Sequence, residues 1–212
     1  MITLEQALGI ISAVAVIVPG VVLLTLLKGL KVKSLRDLTI FLSFFAILHG
    51  FYHVSALLNQ FDLAEYINLA SAVMLIGIAM YYSEAIMGLS MFLLVIPDSN
   101  VAADLVPIAL IIALILFARL AFKSKSLSTL QAQLSIFLII WIISELLRSF
   151  QLLNIISASA SLQLLGLEIH TVAMVAFGAF LLFRYYRVIS STGNIPPNWS
   201  KEAKKPASGE AK

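Results

Sequence analysis

Thirteen of the fourteen Lys and Arg residues fall in three clusters that interrupt the apolar runs of this chain. Lys28, Lys31, Lys33 and Arg36 lie within 28–37, Arg119, Lys123 and Lys125 within 119–125, and six more follow from Arg184 onward. Only Arg148 stands apart. The other connections hold Glu5, Asp62, Glu65, Glu84, Asp98 and Asp104, and no cation. Cationic loops resist translocation across a bilayer, so they mark the cytoplasmic side. Such a pattern constrains the number and direction of crossings before any chemistry is considered.

Composition agrees. The chain is 61% apolar and 12% charged, with a mean hydropathy of +1.02, outside the soluble globular range. Several runs approach the roughly 20 residues a helix needs to cross about 30 Å of hydrocarbon. The basic clusters explain the high pI as membrane-edge anchors and call for no nucleic acid. With no cysteine, disulfides, thiolate metal sites and a Cys nucleophile are excluded. The N-terminus lacks the positive n-region of a signal peptide, so the first apolar run is read as a retained span.

Spans are expected at about 6–27, 38–58, 105–122, 131–150 and 163–183. The stretch 63–97 is interrupted only by Tyr81-Tyr82-Ser83-Glu84. As one helix it would put Arg119, Lys123 and Lys125 opposite Lys28–Arg36. As two spans, 63–82 and 84–97, it places all thirteen cations on one side. The expectation is an all-α integral membrane protein of seven helices over 1–187, N-terminus outside and C-terminus inside, in a multi-pass cell membrane. A basic tail, 188–212, follows and is too polar to build a core. Pro97-Asp98-Ser99-Asn100 reads as a turn, with Asp104 capping the next helix and Pro107 in its first turn.

Short matches suggest a repeat. Lys31-Val32-Lys33-Ser34-Leu35 recurs as Lys123-Ser124-Lys125-Ser126-Leu127, and Leu57-Leu58-Asn59 as Leu152-Leu153-Asn154. Gly77 has a counterpart in Gly178. Two three-helix units, about 5–82 and 98–187, joined by 84–97, make a parallel 3-1-3 repeat. In span number, orientation and length this architecture resembles the sugar-transporting SWEET family, which implies a small-solute permease. That family's Pro-Gln signature is absent: Pro19 precedes Gly20 and Pro107 precedes Ile108.

Polar residues inside the spans converge in depth. At about 1.5 Å per residue, His49 and His53 lie roughly 17 and 23 Å from the cytoplasmic edge. On the same count Glu145, Arg148 and His170 lie about 22, 27 and 21 Å from it. Ser144, Glu145, Arg148 and Gln151 share a stripe on one helix, and Glu145 and Arg148 are spaced to pair. Intramembrane ionisable groups are costly and mark function or helix association.

Three readings follow from this layer. In the first, the groups satisfy one another as interhelical glue in a non-enzymatic sensor or accessory subunit, associated with other membrane subunits or with copies of itself. In the second, they line a solute or proton pathway. In the third, His49, His53, His170 and Glu145 ligate a transition metal, or two histidines clamp a haem, in a membrane redox protein. Seven-span ceramidase-like hydrolases also carry histidine-rich zinc sites. Their paired histidines belong on the last span with an intramembrane Asp, which the third span here lacks. No phosphate loop or nucleophile elbow is present, and the last span has no lysine for a retinal Schiff base.

Overall fold

The computed structural model describes residues 2–30, 33–83, 98–124, 126, 129–153 and 159–191. The expected fourth span, 84–97, lies outside these, as do Lys31, Lys125, the connection 154–158 and the tail from 192 onward. The helices are α1 (Leu4–Leu26), α2 (Lys33–Leu57), α3 (Phe61–Ser83), α4 (Ser99–Lys123), α5 (Leu130–Leu152) and α6 (Ala160–Ser191), with a 3-10 turn at Leu27–Gly29 after α1. All six are long and apolar enough to span a bilayer, so the architecture is that of a multi-pass, all-α membrane protein.

The helix ends have local causes. Thr3 and Gln6 form a reciprocal capping box at the start of α1. Asn59, at φ 58°, closes α2 in a left-handed turn that Asn tolerates well, with Gln60 N–H bonded to Ser55 O and Asn59 N–H to Ala56 O. Thr129 caps α5 by accepting from Ala132 N–H. One expectation is corrected. Asp98, not Asp104, caps α4, accepting from Asn100 N–H, and the helix begins at Ser99. Pro107 therefore lies inside the helix, buried, rather than in its first turn. The polar Ser99-Asn100 turn hid the extra helical residues from a reading based on apolar length.

Contacts fix the helix directions. Ser99, opening α4, donates to Asp62 near the start of α3 at 2.7 Å, so these two helices start side by side and run parallel. Ser12 of α1 donates to Thr171 of α6 at 3.0 Å, and Gly178 lies against Ala15 and Pro19 further along both helices. Those two helices are likewise parallel. Each helix packs on its sequence neighbours, and α6 closes on α1, forming a ring of the six described helices. Hence α1, α3, α4 and α6 run one way, and α2 and α5 the other. Lys28, Lys33, Arg36, Arg119, Lys123, Arg184 and Arg187 all gather at one end of the bundle. Glu5, Asp62, Glu65, Asp98, Asp104 and Glu168 belong to the other.

The bundle differs from a soluble protein at its surface, which is apolar. Its outer faces carry half-exposed Val14, Val18, Phe44, Phe51, Ile108, Ile112, Ile140, Ile143 and Val172, while His49, Asn68, Ser71, Glu145 and His170 are buried inside. Lipid tails are as apolar as these side chains, so association rests on close packing and interhelical hydrogen bonds. The α1–α6 seam uses both. Pro19 has no N–H to give, which frees the Ala15 carbonyl from its helical partner. Gly178 of α6 packs directly against that carbonyl, where only hydrogen fits. Gly77, the other glycine of the suggested repeat, has nothing within contact distance among the described residues.

Candidate metal centre

Four helices bring the site together. His49 and His53 stand one turn apart on α2, His170 lies on α6, Glu145 on α5, and Asn68 and Ser71 on α3. The three histidines are at most 2% exposed, and one ring nitrogen from each lies within 4.8 Å of the others. His53 Nε2 and His170 Nε2 are hydrogen-bonded at 3.2 Å. Two imidazoles on a tetrahedral ion, with metal–nitrogen bonds near 2.0–2.1 Å, place their nitrogens about 3.3 Å apart.

The neighbours fix which nitrogens face inward. Ser71 Oγ gives its own proton to Asn68 O at 2.7 Å, so it accepts from His49 Nδ1–H at 3.2 Å. That leaves His49 Nε2 unprotonated and buried, without a hydrogen-bond partner. Glu145 Oε2 lies 3.0 Å from His170 Nδ1, off the N–H axis, and favours the same tautomer there. Asn68 Nδ2 donates to the other carboxylate oxygen at 3.2 Å. Metal-bound imidazoles commonly hold their outer nitrogen in this way, by a carboxylate or another polar acceptor.

Aromatic rings wall the cluster. Around His49, ring centroids lie at 4.7 Å for Trp141, 5.4 Å for Tyr52 and 6.0 Å for Phe45. Trp141 also directs its Nε1–H to Met174 Sδ at 3.2 Å. With the two Nε2 atoms facing directly and these rings at the sides, there is no flat slot for a porphyrin, so the arrangement does not fit haem. Toward the basic end the interior continues as Leu42, Phe45, Leu75, Leu138, Phe177 and Leu181, all buried.

The remaining residues of the sequence-derived layer are placed differently. Glu145 approaches His170 and accepts from Asn68, rather than hydrogen-bonding to Arg148. The Arg148 guanidinium lies over the Tyr52 ring, 5.3 Å from its centroid, and one of its terminal nitrogens is buried without a hydrogen bond. Ser144 donates to Trp141 O on its own helix. Gln151 donates to Leu162 O across the α5–α6 connection and so fastens those helices. Asn68, Ser71 and Tyr52 were not singled out from the sequence. Glu65, Asn68 and Ser71, each three residues on from the last in an apolar span, mark one polar face of α3 and are the signal that finds two of them. No protein family, curated protein or solved structure matches the chain.

Proposed function

We propose that this is a membrane protein that holds one transition-metal ion on His49, His53 and His170, with Glu145 and Ser71 orienting the outer nitrogens of His170 and His49. The observation that carries the reading is the convergence of three buried imidazoles, with one ring nitrogen of each within 4.8 Å of the others and His49 Nε2 left without a hydrogen bond. An unpaired buried polar group is costly, and a bound ion would satisfy it.

The same reading includes seven crossings in a 3-1-3 arrangement, with the basic end cytoplasmic. Supporting it, α4 starts beside the start of α3, while α3 is roughly 34 Å long at 1.5 Å per residue. The chain between Ser83 and Asp98 has that distance to return; 84–97 as a helix covers about 21 Å of it, so the proposed crossing is a short helix with extended ends. An accessory role in a larger membrane complex is compatible with such a centre, and electron transfer or metal handling is the chemistry it would bring.

The test is elemental analysis of protein purified from its native membrane without chelator. One transition metal per chain is expected in the wild type, falling to background in His49→Ala and His170→Ala variants that remain monodisperse. Folded wild-type protein that neither carries a metal nor takes one up when supplied with Cu, Zn and Fe salts would refute it.

A further inference from the structure

We infer that the ion reaches His49, His53 and His170 from the acidic end of the bundle, drawn in by Glu65; this rests on the metal reading above. Depth is the first argument. His53 stands four residues before the end of α2, Glu65 four residues into α3 and Arg148 four before the end of α5. Each is about 6 Å from the acidic end at 1.5 Å per residue. His49 lies one turn deeper, about 12 Å from that end and about 24 Å from the start of α2 at the basic end. The acidic side is the shorter way in.

The lining is the second. Among the described residues the buried imidazole, carboxyl and amide side chains are His49, His53, Asn68, Glu145, Gln151 and His170. All stand in the half of the bundle next to the acidic end. Toward the basic end, the buried hydroxyls of Thr39 and Ser43 are turned onto carbonyls of their own helix, Leu35 O and Thr39 O. A cation leaving water needs polar atoms to replace its hydration, so the acidic half is the less costly route.

Charge is the third. Glu65 is partly buried on the face of α3 that carries Asn68 one turn further on, and Asn68 donates to Glu145. Glu65 lies within electrostatic reach of both Glu145 and Arg148. Arg148, laid over Tyr52 at the same depth as Glu65, repels an incoming cation. Glu65 offsets that charge where the ion would enter.

The experiment begins with the full chain in detergent, stripped of metal, to which Zn(II), Cu(II) and Fe(II) are offered singly without oxygen. An ion retained at one per chain after desalting goes forward; uptake of none removes the three-histidine site and this inference with it. The Gln60→Cys protein is then sealed in vesicles, where an impermeant maleimide counts the chains whose acidic end faces out. The ion is added outside only, and the excess is removed by desalting. The expected result is as many ions retained as chains labelled, the remainder loading only after permeabilisation. Loading of every chain from outside, or of the unlabelled fraction alone, would overturn entry from the acidic end and leave the site standing. Glu65→Gln should still take one ion per chain but load about fourfold more slowly at low salt, the effect of one charge on a divalent ion at about 10 Å through water. That difference should vanish at about 0.5 M salt, where the Debye length is about 4 Å. Equal low-salt rates for variant and wild type would overturn the role of Glu65.

Discussion

Replacing Gly178 with alanine puts a methyl group where the α1–α6 seam has no room. The added carbon would lie inside the contact shell of the Ala15 carbonyl oxygen, and 3.0 Å from Pro19 Cγ. Neither obstacle rotates away, since one is backbone and the other a ring fixed in a helix. The helices must part by roughly an ångström, loosening the packing that drives association in a bilayer. They also stretch the Ser12–Thr171 hydrogen bond two turns away. Overpacking costs about 1–3 kcal/mol, and rigid neighbours set the upper end, ~3 kcal/mol. For a chain of this size that lowers the melting temperature by roughly 6–12 °C. Thermal unfolding in detergent, followed by circular dichroism, measures it. Gly77→Ala is the internal control: its added methyl meets nothing within 4 Å. The better helix propensity of alanine should stabilise that variant by about 0.5–1 kcal/mol. Equal behaviour of the two variants, or a Gly178→Ala protein melting with the wild type, would refute the close-approach argument.

Other outcomes are equally direct. Asn68→Leu removes the donor to Glu145 Oε1 in a buried layer and should destabilise the protein by about 1–3 kcal/mol, read by the same unfolding assay. An unchanged melt would mean that water reaches the carboxylate. Because the chain has no cysteine, single cysteines report sidedness cleanly. In sealed vesicles an impermeant maleimide should label Gln60→Cys and Asn100→Cys from one face, and Ser126→Cys only after permeabilisation. Labelling of Gln60→Cys and Asn100→Cys from opposite faces would sink the extra crossing between α3 and α4.

Much of the framework was legible in the residues. Long apolar runs and clustered cations specify helices that cross a bilayer, because backbone polar groups in hydrocarbon must bond within their own segment. His49, His53, Glu145 and His170 stood out for the same reason: each is expensive in an apolar span and needs a partner. Their common depth follows from 1.5 Å per residue along straight helices. The start of α4 was less legible, since a polar first turn extends beyond the apolar stretch that announces a span.

Residue by residue, the chain reads as a helical membrane protein whose charge divides between two ends and whose intramembrane ionisable residues share one depth. All three follow from transfer free energies of individual residues, which depend on composition and order along the chain. Which polar groups meet depends on how the helices pack. Glu145 and Arg148 are neighbours on one helix, and their spacing invited a pair. Packing instead turns Glu145 toward His170 and Asn68 on other helices, and lays Arg148 over Tyr52. Helix spacing fixes only which residues share a face, whereas partners across helices depend on rotation about each axis. Those rotations depend on contacts between helices such as Gly178 against Ala15, and they bring His49, His53 and His170 together from two helices.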